Sequence, residues 1–182
     1  MRINIIGPSG SGKTYLARRL SQKMKIKVGS LDYIFFKYSK DAGRIELPEQ
    51  EWRNNLQKFL EQQNWIIEGI NPVLEIFDRA EVIVFLRPSF SMSLFGQWYR
   101  FFTDPVQRKE YGLVANLDLT RYLIRQYFQS PDWGRMDDEK YFRVKKVDYL
   151  LAGKYRNKSR ILTSKREVND FVNSITGSDH SV

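Results

Sequence analysis

Short apolar runs alternate along this chain with longer stretches of helical period. Arg2–Ile6 has the composition of a core strand, and Leu16, Leu20 and Met24, four residues apart, predict a helix over Lys13–Met24. Ile26–Leu31 reads as a second strand that delivers Asp32 to its C-terminal end. Tyr33–Leu47, aromatic and then polar around Gly43, reads as a loop. A second helix is expected from Pro48 to about Gln63. Proline suits the first helical position, and Trp52, Leu56, Phe59 and Leu60 share one face. Trp65–Gly69 and Glu81–Leu86 are the third and fourth strands. Val82–Leu86 is apolar without alternation, the pattern of a strand covered on both faces.

The second half is helical from Ser89 to about Tyr127, with breaks expected at Asp104-Pro105 and Gly112. A polar turn region over Ser130–Asp138 leads to a helix over Glu139–Leu151 and a short fifth strand, Arg160–Thr163. Ser164 and Glu167 have the spacing of a capping box. The helix they open carries Val168, Phe171, Val172 and Ile175 as one apolar stripe, and Gly177–Val182 is a polar tail. Strands alternating with helices in this way predict an α/β fold around a mostly parallel sheet.

The chain has 182 residues, the size of one domain. It has no cysteine, which excludes disulfides and thiolate metal sites. The N-terminus lacks the apolar core and cleavage site of a signal peptide, so a cytoplasmic location is expected. No run approaches the roughly 18 apolar residues of a membrane span, because Gln97 and Arg100 interrupt the aromatic stretch Phe90–Phe102. The formal net charge is +9, and residues 135–166 hold eleven Lys/Arg against four Asp/Glu. A nucleic-acid contact through that stretch is conceivable but not favoured, since no recognition module accompanies it.

Candidate chemistry concentrates in Gly7-Pro8-Ser9-Gly10-Ser11-Gly12-Lys13-Thr14, a full GxxxxGKT phosphate loop between a strand and a helix. Gly7, Gly10 and Gly12 allow the backbone to turn tightly, and the loop amides, Ser9 and Ser11 included, then surround phosphate oxygens. Lys13 is expected to reach the β and γ phosphates and Thr14 to coordinate Mg2+, so ATP with magnesium is the expected cofactor. Ligands of open α/β sheets gather beyond the carboxyl ends of the strands, where Asp32 and Glu68 fall. Asp32 is the candidate base for an acceptor hydroxyl, and Glu68 the candidate on the magnesium side. Arg100, Arg121 and Arg125 are candidates to face a transferring phosphoryl group, the last two sharing a helix face. Arg87, Arg108 and Arg135 are secondary candidates. Lys165, in the segment after the fifth strand, is a candidate for the adenine side.

The fourth strand ends Phe85-Leu86-Arg87-Pro88 without an aspartate, and there is no guanine-reading Asn/Thr-Lys-x-Asp element. Both points weigh against a switch GTPase.

These elements resemble the adenylate-kinase-related P-loop proteins called DNA topology modulation proteins. The resemblance rests on Ile5-Ile6-Gly7 with Gly12-Lys13-Thr14, Ser30-Leu31-Asp32, Trp65-Ile66-Ile67-Glu68-Gly69, Val82–Leu86 and Tyr99-Arg100. It implies a P-loop nucleotide-kinase-like three-layer α/β fold with a five-stranded parallel sheet and a helical lid. The expected organisation is one domain over 1–176, with an acceptor-side segment at about 33–64, a lid at about 100–137 and a flexible tail at 177–182. Adenylate kinases follow the third strand with an aromatic-Pro-Arg segment, where this chain has Ile70-Asn71-Pro72. The expected function is ATP-dependent phosphoryl transfer to a small metabolite or nucleotide, by a monomer or homodimer. The alternative is a nucleotide-dependent regulatory or nucleic-acid-binding protein with slow ATPase activity.

Overall fold

The computed structural model describes residues 1–39, 43–129 and 142–177. In chain order, β1 (Arg2–Ile6) leads through the glycine-rich loop into α1 (Lys13–Met24), followed by β2 (Val28–Ser30) and α2 (Leu31–Phe35). An antiparallel hairpin of β3 (Phe36–Ser39) and β4 (Gly43–Glu46) precedes α3 (Glu49–Leu60), β5 (Trp65–Gly69), α4 (Leu74–Arg79) and β6 (Val82–Leu86). Two long helices, α5 (Phe90–Thr103) and α6 (Pro105–Phe128), come next. Then follow α7 (Val144–Ala152), β7 (Ser159–Leu162) and α8 (Lys165–Gly177).

The main sheet is five-stranded, ordered β2-β5-β1-β6-β7, and every pairing is parallel. Its two faces follow from the alternation of side chains along each strand. Ile3 and Ile5 of β1, Ile66 of β5, and Val84 and Leu86 of β6 pack against Leu16, Ala17 and Leu20 of α1 and Val172 of α8. Ile6, Trp65, Ile67, Ile83 and Phe85 face the other way. They meet Leu31 and Ile34 of α2, Leu56 and Leu60 of α3, Ile76 and Phe77 of α4, and Val147 and Leu151 of α7. Both faces are covered, as the non-alternating β6 sequence requires. Each fully buried aliphatic side chain contributes roughly 1.5–3 kcal/mol to this arrangement.

Several boundaries differ from the sequence expectation. Leu31 ends no strand: it opens α2, so Asp32 sits one residue inside a short helix. The expected loop over Tyr33–Leu47 instead holds the end of α2 and the β3–β4 hairpin, with Leu47 N donating to Phe35 O at 2.9 Å. Pro48 is the cap of α3 and not its first residue, and its carbonyl accepts from Glu51 N and Trp52 N. The expected breaks hold. Asp104 leaves the helical region with φ −103°, and Gly112 adopts φ 61°, ψ 178° inside α6.

In the capping box, Ser164 Oγ accepts from Glu167 N as the spacing predicts. The Glu167 carboxylate reaches back one residue further than expected, to Thr163 N. The expected turn over Ser130–Asp138 and the tail from residue 178 lie outside the described residues, and the helix expected from Glu139 begins only at Val144, after an extended Arg143 with φ −136° and ψ 131°. Among the described residues no helix is long and apolar enough to cross a membrane.

Candidate active site

The parallel register brings the functional loops together. Ile6 at the end of β1 is level with Gly69 of β5 and Phe85 of β6, and Ser30 of β2 is level with Glu68. The chain leaves β1 at the centre of the sheet and enters the phosphate loop. Glu68 and Asp32 lie on its β5–β2 side, and Leu86 lies on the other.

The loop is shaped by close contacts that only glycine permits. A Cβ on Gly7 would lie 2.6 Å from Leu86 O, and one on Gly10, at φ +74°, would lie 2.3 Å from Ser93 O. Gly96 of α5 reciprocates, because a Cβ there would lie 2.7 Å from Gly10 O. Thus α5 packs backbone to backbone against the tip of the loop. Gly12 caps α1 in the left-handed region, φ 91°, and no acidic residue occupies the first turn of that helix. Its N-terminal N–H groups and dipole are therefore available to an anion.

Lys13 is buried, and its Nζ donates to Pro8 O at 2.8 Å. Burial lowers the pKa of its amine from 10.5 to about 8. The Glu68 and Asp32 carboxylates oppose that shift, and the Arg100 guanidinium adds to it. These four charged groups therefore share one electrostatic environment. Thr14 Oγ1 donates to Glu68 Oε1 at 3.5 Å, which places a hydroxyl and a buried carboxylate side by side. Asp32 and Arg100 are exposed. The pair Thr14 and Glu68 suits a hard divalent cation that retains several waters. The loop with Lys13 suits a polyphosphate.

The other candidates lie on α6, just beyond β6 and at the start of α8. Arg121 Nη1 pairs with Asp118 Oδ1 at 3.0 Å on the exposed face of α6, and Arg125 is exposed on the same helix. Arg87 pairs with Asp148 at 3.2 Å. Lys165 is exposed at the start of α8. Arg135 lies outside the described residues, as does the side chain of Arg108.

Part of the basic stretch is engaged within the fold. Lys146 is buried, Lys154 Nζ donates to Asp78 Oδ1 at 2.7 Å, and Lys158 Nζ donates to the carbonyls of Asp78 and Ala80.

Sequence reasoning did not single out a polar group between the loop and the α5–α6 pair. Ser93, Gln97, Asn116 and Gln126 are all buried. Gln126 Oε1 accepts from Ser9 N at 3.4 Å, and Gln97 Nε2 donates to Asn116 O and Thr120 Oγ1. Tyr127 OH donates to Pro88 O at 2.8 Å and lies 2.7 Å from Ser93 Oγ, which ties α6 to the base of α5. The one available signal was Gly96, a glycine inside a helical run, which marks a close backbone approach.

No protein-family model matches the chain, and no curated protein matches it. Among solved structures the chain is similar to the shikimate kinase of Acinetobacter baumannii in complex with shikimate. The two are 16% identical over 99% of this chain and 95% of that one, with a TM-score of 0.49. The shikimate kinase of Bacteroides thetaiotaomicron is likewise 16% identical over 98% of this chain and 97% of that one, at 0.49. Deoxyadenosine kinase from M. mycoides with bound dATP is 12% identical over 96% of this chain and 99% of that one, at 0.52. At such identities the likeness is one of architecture. The chain has the three-layer α/β fold of the P-loop kinases, built on a five-stranded parallel sheet.

Proposed function

We propose that this protein is an ATP- and magnesium-dependent phosphotransferase acting on a small hydroxylated acceptor, a metabolite or a nucleotide. The observation that carries the reading is Lys13. Its buried amine rests on the loop carbonyl of Pro8 with Glu68, Asp32 and Arg100 in its field. A cation left in that position has the loop backbone as its hydrogen-bond partner, an arrangement suited to exchange for phosphate oxygens.

Bound ATP with magnesium would supply the phosphoryl group and the divalent charge that offsets its oxygens. Gly7, Ser9, Gly10, Ser11 and Gly12 would form the loop around the polyphosphate, the Ser9 N–H staying on Gln126 Oε1, and Lys13 would be the ammonium partner of the phosphates. Thr14 and Glu68 would hold the metal. Asp32, exposed beyond β2, would take up the proton of an acceptor hydroxyl, and Arg100 on α5 would offset charge on the donor side. The acceptor segment would comprise α2, the β3–β4 hairpin and α3, within about residues 33–64. The lid would fall within about 100–137 of a single domain spanning 1–176. The resemblance to DNA topology modulation proteins fits this organisation.

The test is ADP formation from magnesium-ATP with nucleosides, nucleoside monophosphates and small hydroxylated metabolites, comparing the native protein with Asp32→Ala. One acceptor class is expected to raise turnover, and Asp32→Ala to lower the stimulated rate by roughly 10²–10⁴-fold. If no acceptor raises turnover and the substitution changes nothing, the reading fails.

A further inference from the structure

The Pro8–Ser9 peptide is gripped at both edges. Its carbonyl accepts Lys13 Nζ at 2.8 Å, and its N–H donates to Gln126 Oε1 at 3.4 Å. No cis peptide occurs among the described residues, so this C=O and N–H point in opposite directions. One side chain from α1 and one from α6 therefore hold the same plane from opposite sides. Gln126 is 1% exposed, and its Nε2 is buried with no hydrogen-bond partner among the described residues. A primary amide offers two N–H donors, and buried donors in native proteins are nearly always paired. Ser11 Oγ, in the same loop, is also buried without a partner.

The surroundings keep Gln126 in place. Leu123, one turn earlier on α6, is fully buried, and Tyr127 anchors the next residue to Pro88. The contact of Gly96 with Gly10 seats α5 on the loop. The Pro8 carbonyl also accepts Ser11 N at 3.3 Å, so it keeps a partner if Lys13 departs. Among the described residues, the hydrogen-bond acceptor for the Ser9 N–H is the glutamine oxygen.

We propose that Gln126 is a positioning residue for the terminal phosphates of a nucleoside triphosphate. It holds the Pro8–Ser9 peptide while Lys13 leaves that carbonyl for the anion, and it offers its free amide N–H to an oxygen of the same anion. This rests on the reading of the loop as a triphosphate site. Because the Lys13 amine is stationed on this peptide and is the group that reaches the β and γ phosphates, the effect of Gln126 is expected on ATP more than on ADP.

The test is calorimetric titration of the full chain with magnesium-ATP and with magnesium-ADP, for the native protein, Gln126→Leu and Gln126→Glu. Thermal melting without nucleotide reports the fold of each. Gln126→Leu keeps the bulk and removes both polar functions. It is expected to weaken ATP about tenfold and ADP less than about threefold, the scale of one lost hydrogen bond to a charged group. Gln126→Glu is isosteric and keeps an acceptor for Ser9 N–H, but sets a carboxylate against the anion. It is expected to weaken ATP by about 100-fold.

Native-like ATP-to-ADP affinity ratios in a folded variant overturn the inference, whatever happens to its melting temperature, and leave the phosphate site standing. A native protein that binds neither nucleotide overturns both.

Discussion

Raising the pH through about 8 is expected to weaken triphosphate binding without weakening the fold. Lys13 is 8% exposed, and burial lowers the pKa of its amine from 10.5 to about 8 in the free protein. Phosphate oxygens beside the amine favour its charged form, so binding at higher pH draws a proton from solution. At pH 9 the free amine is charged in about one molecule in eleven, and at pH 10 in about one in a hundred. Affinity for magnesium-ATP should fall by roughly tenfold and then 100-fold from its neutral-pH value, about 1.4 kcal/mol per pH unit.

Titration calorimetry at pH 7, 8, 9 and 10, in buffers of different ionisation enthalpy, would detect this loss together with uptake of nearly one proton. Lys13→Arg keeps its charge across the range and should give a flat, if weaker, profile. The stability effect has the opposite sign. The unfolded lysine holds its proton up to about 10.5 and the folded one only to about 8, so the unfolded state binds more protons between those values. The buried charge therefore costs the fold about 3 kcal/mol below pH 8, and the cost disappears as pH approaches 10.5. Lys13→Met should melt higher than the native protein at pH 7, and the gap should close by pH 10. A native affinity that stays flat from pH 7 to 9.5, with no proton uptake, would refute the assignment of Lys13 as the buried phosphate ligand.

Two further substitutions probe the neighbours of Lys13. Gly96→Ala should lower the melting temperature although alanine favours helix by about 1 kcal/mol. The new Cβ would meet Gly10 O at 2.7 Å, and such overpacking costs about 1–3 kcal/mol; a higher melting temperature would show that α5 does not press on the loop. Arg100→Ala and Arg121→Ala form a matched pair of exposed helical arginines. The first should lower turnover with a productive acceptor by at least about tenfold, the scale of lost transition-state charge stabilisation. The second should leave turnover within about twofold, because its partner is Asp118 on a solvated face. Equal losses in the two would remove Arg100 from the site.

The sheet and the phosphate loop were legible for one reason: their signals are local. An apolar run of five residues identifies a buried strand wherever it lies, and GxxxxGKT between a strand and a helix carries its own geometry. Asp32 and Glu68 were legible because strand ends converge in a parallel sheet. The hairpin over residues 36–46 was missed although Phe36-Lys37-Tyr38-Ser39 alternates, because the aromatic residues and Gly43 gave the segment the composition of a loop. For the arginines the sequence signal is weaker. A spacing of four fixes that Arg121 and Arg125 share a face of α6, but not which face meets the site. Among the described side chains of α6 the buried ones are Asn116, Leu123 and Gln126, and a buried amide has no mark in sequence that separates it from a solvated one.

The central place of β1 in the sheet also sets an order in time. Arg2 pairs with Trp65, and Ile3 pairs with Ile66 on one side and Val82 on the other, so the neighbours are not available until the chain has passed residues 65 and 82. At about 5–20 residues per second, synthesis leaves β1 without its nearer neighbour for roughly 3–12 s. The helix that follows the loop waits longer for its cover, since Val172 of α8 completes the cluster around Leu16 and Leu20. The phosphate loop is made before both strands that flank β1, and before Ser93, Gly96 and Gln126, which press on it or hold it. A nascent chain that stops short of β5 carries the residues of the loop without either of the two strands that flank β1.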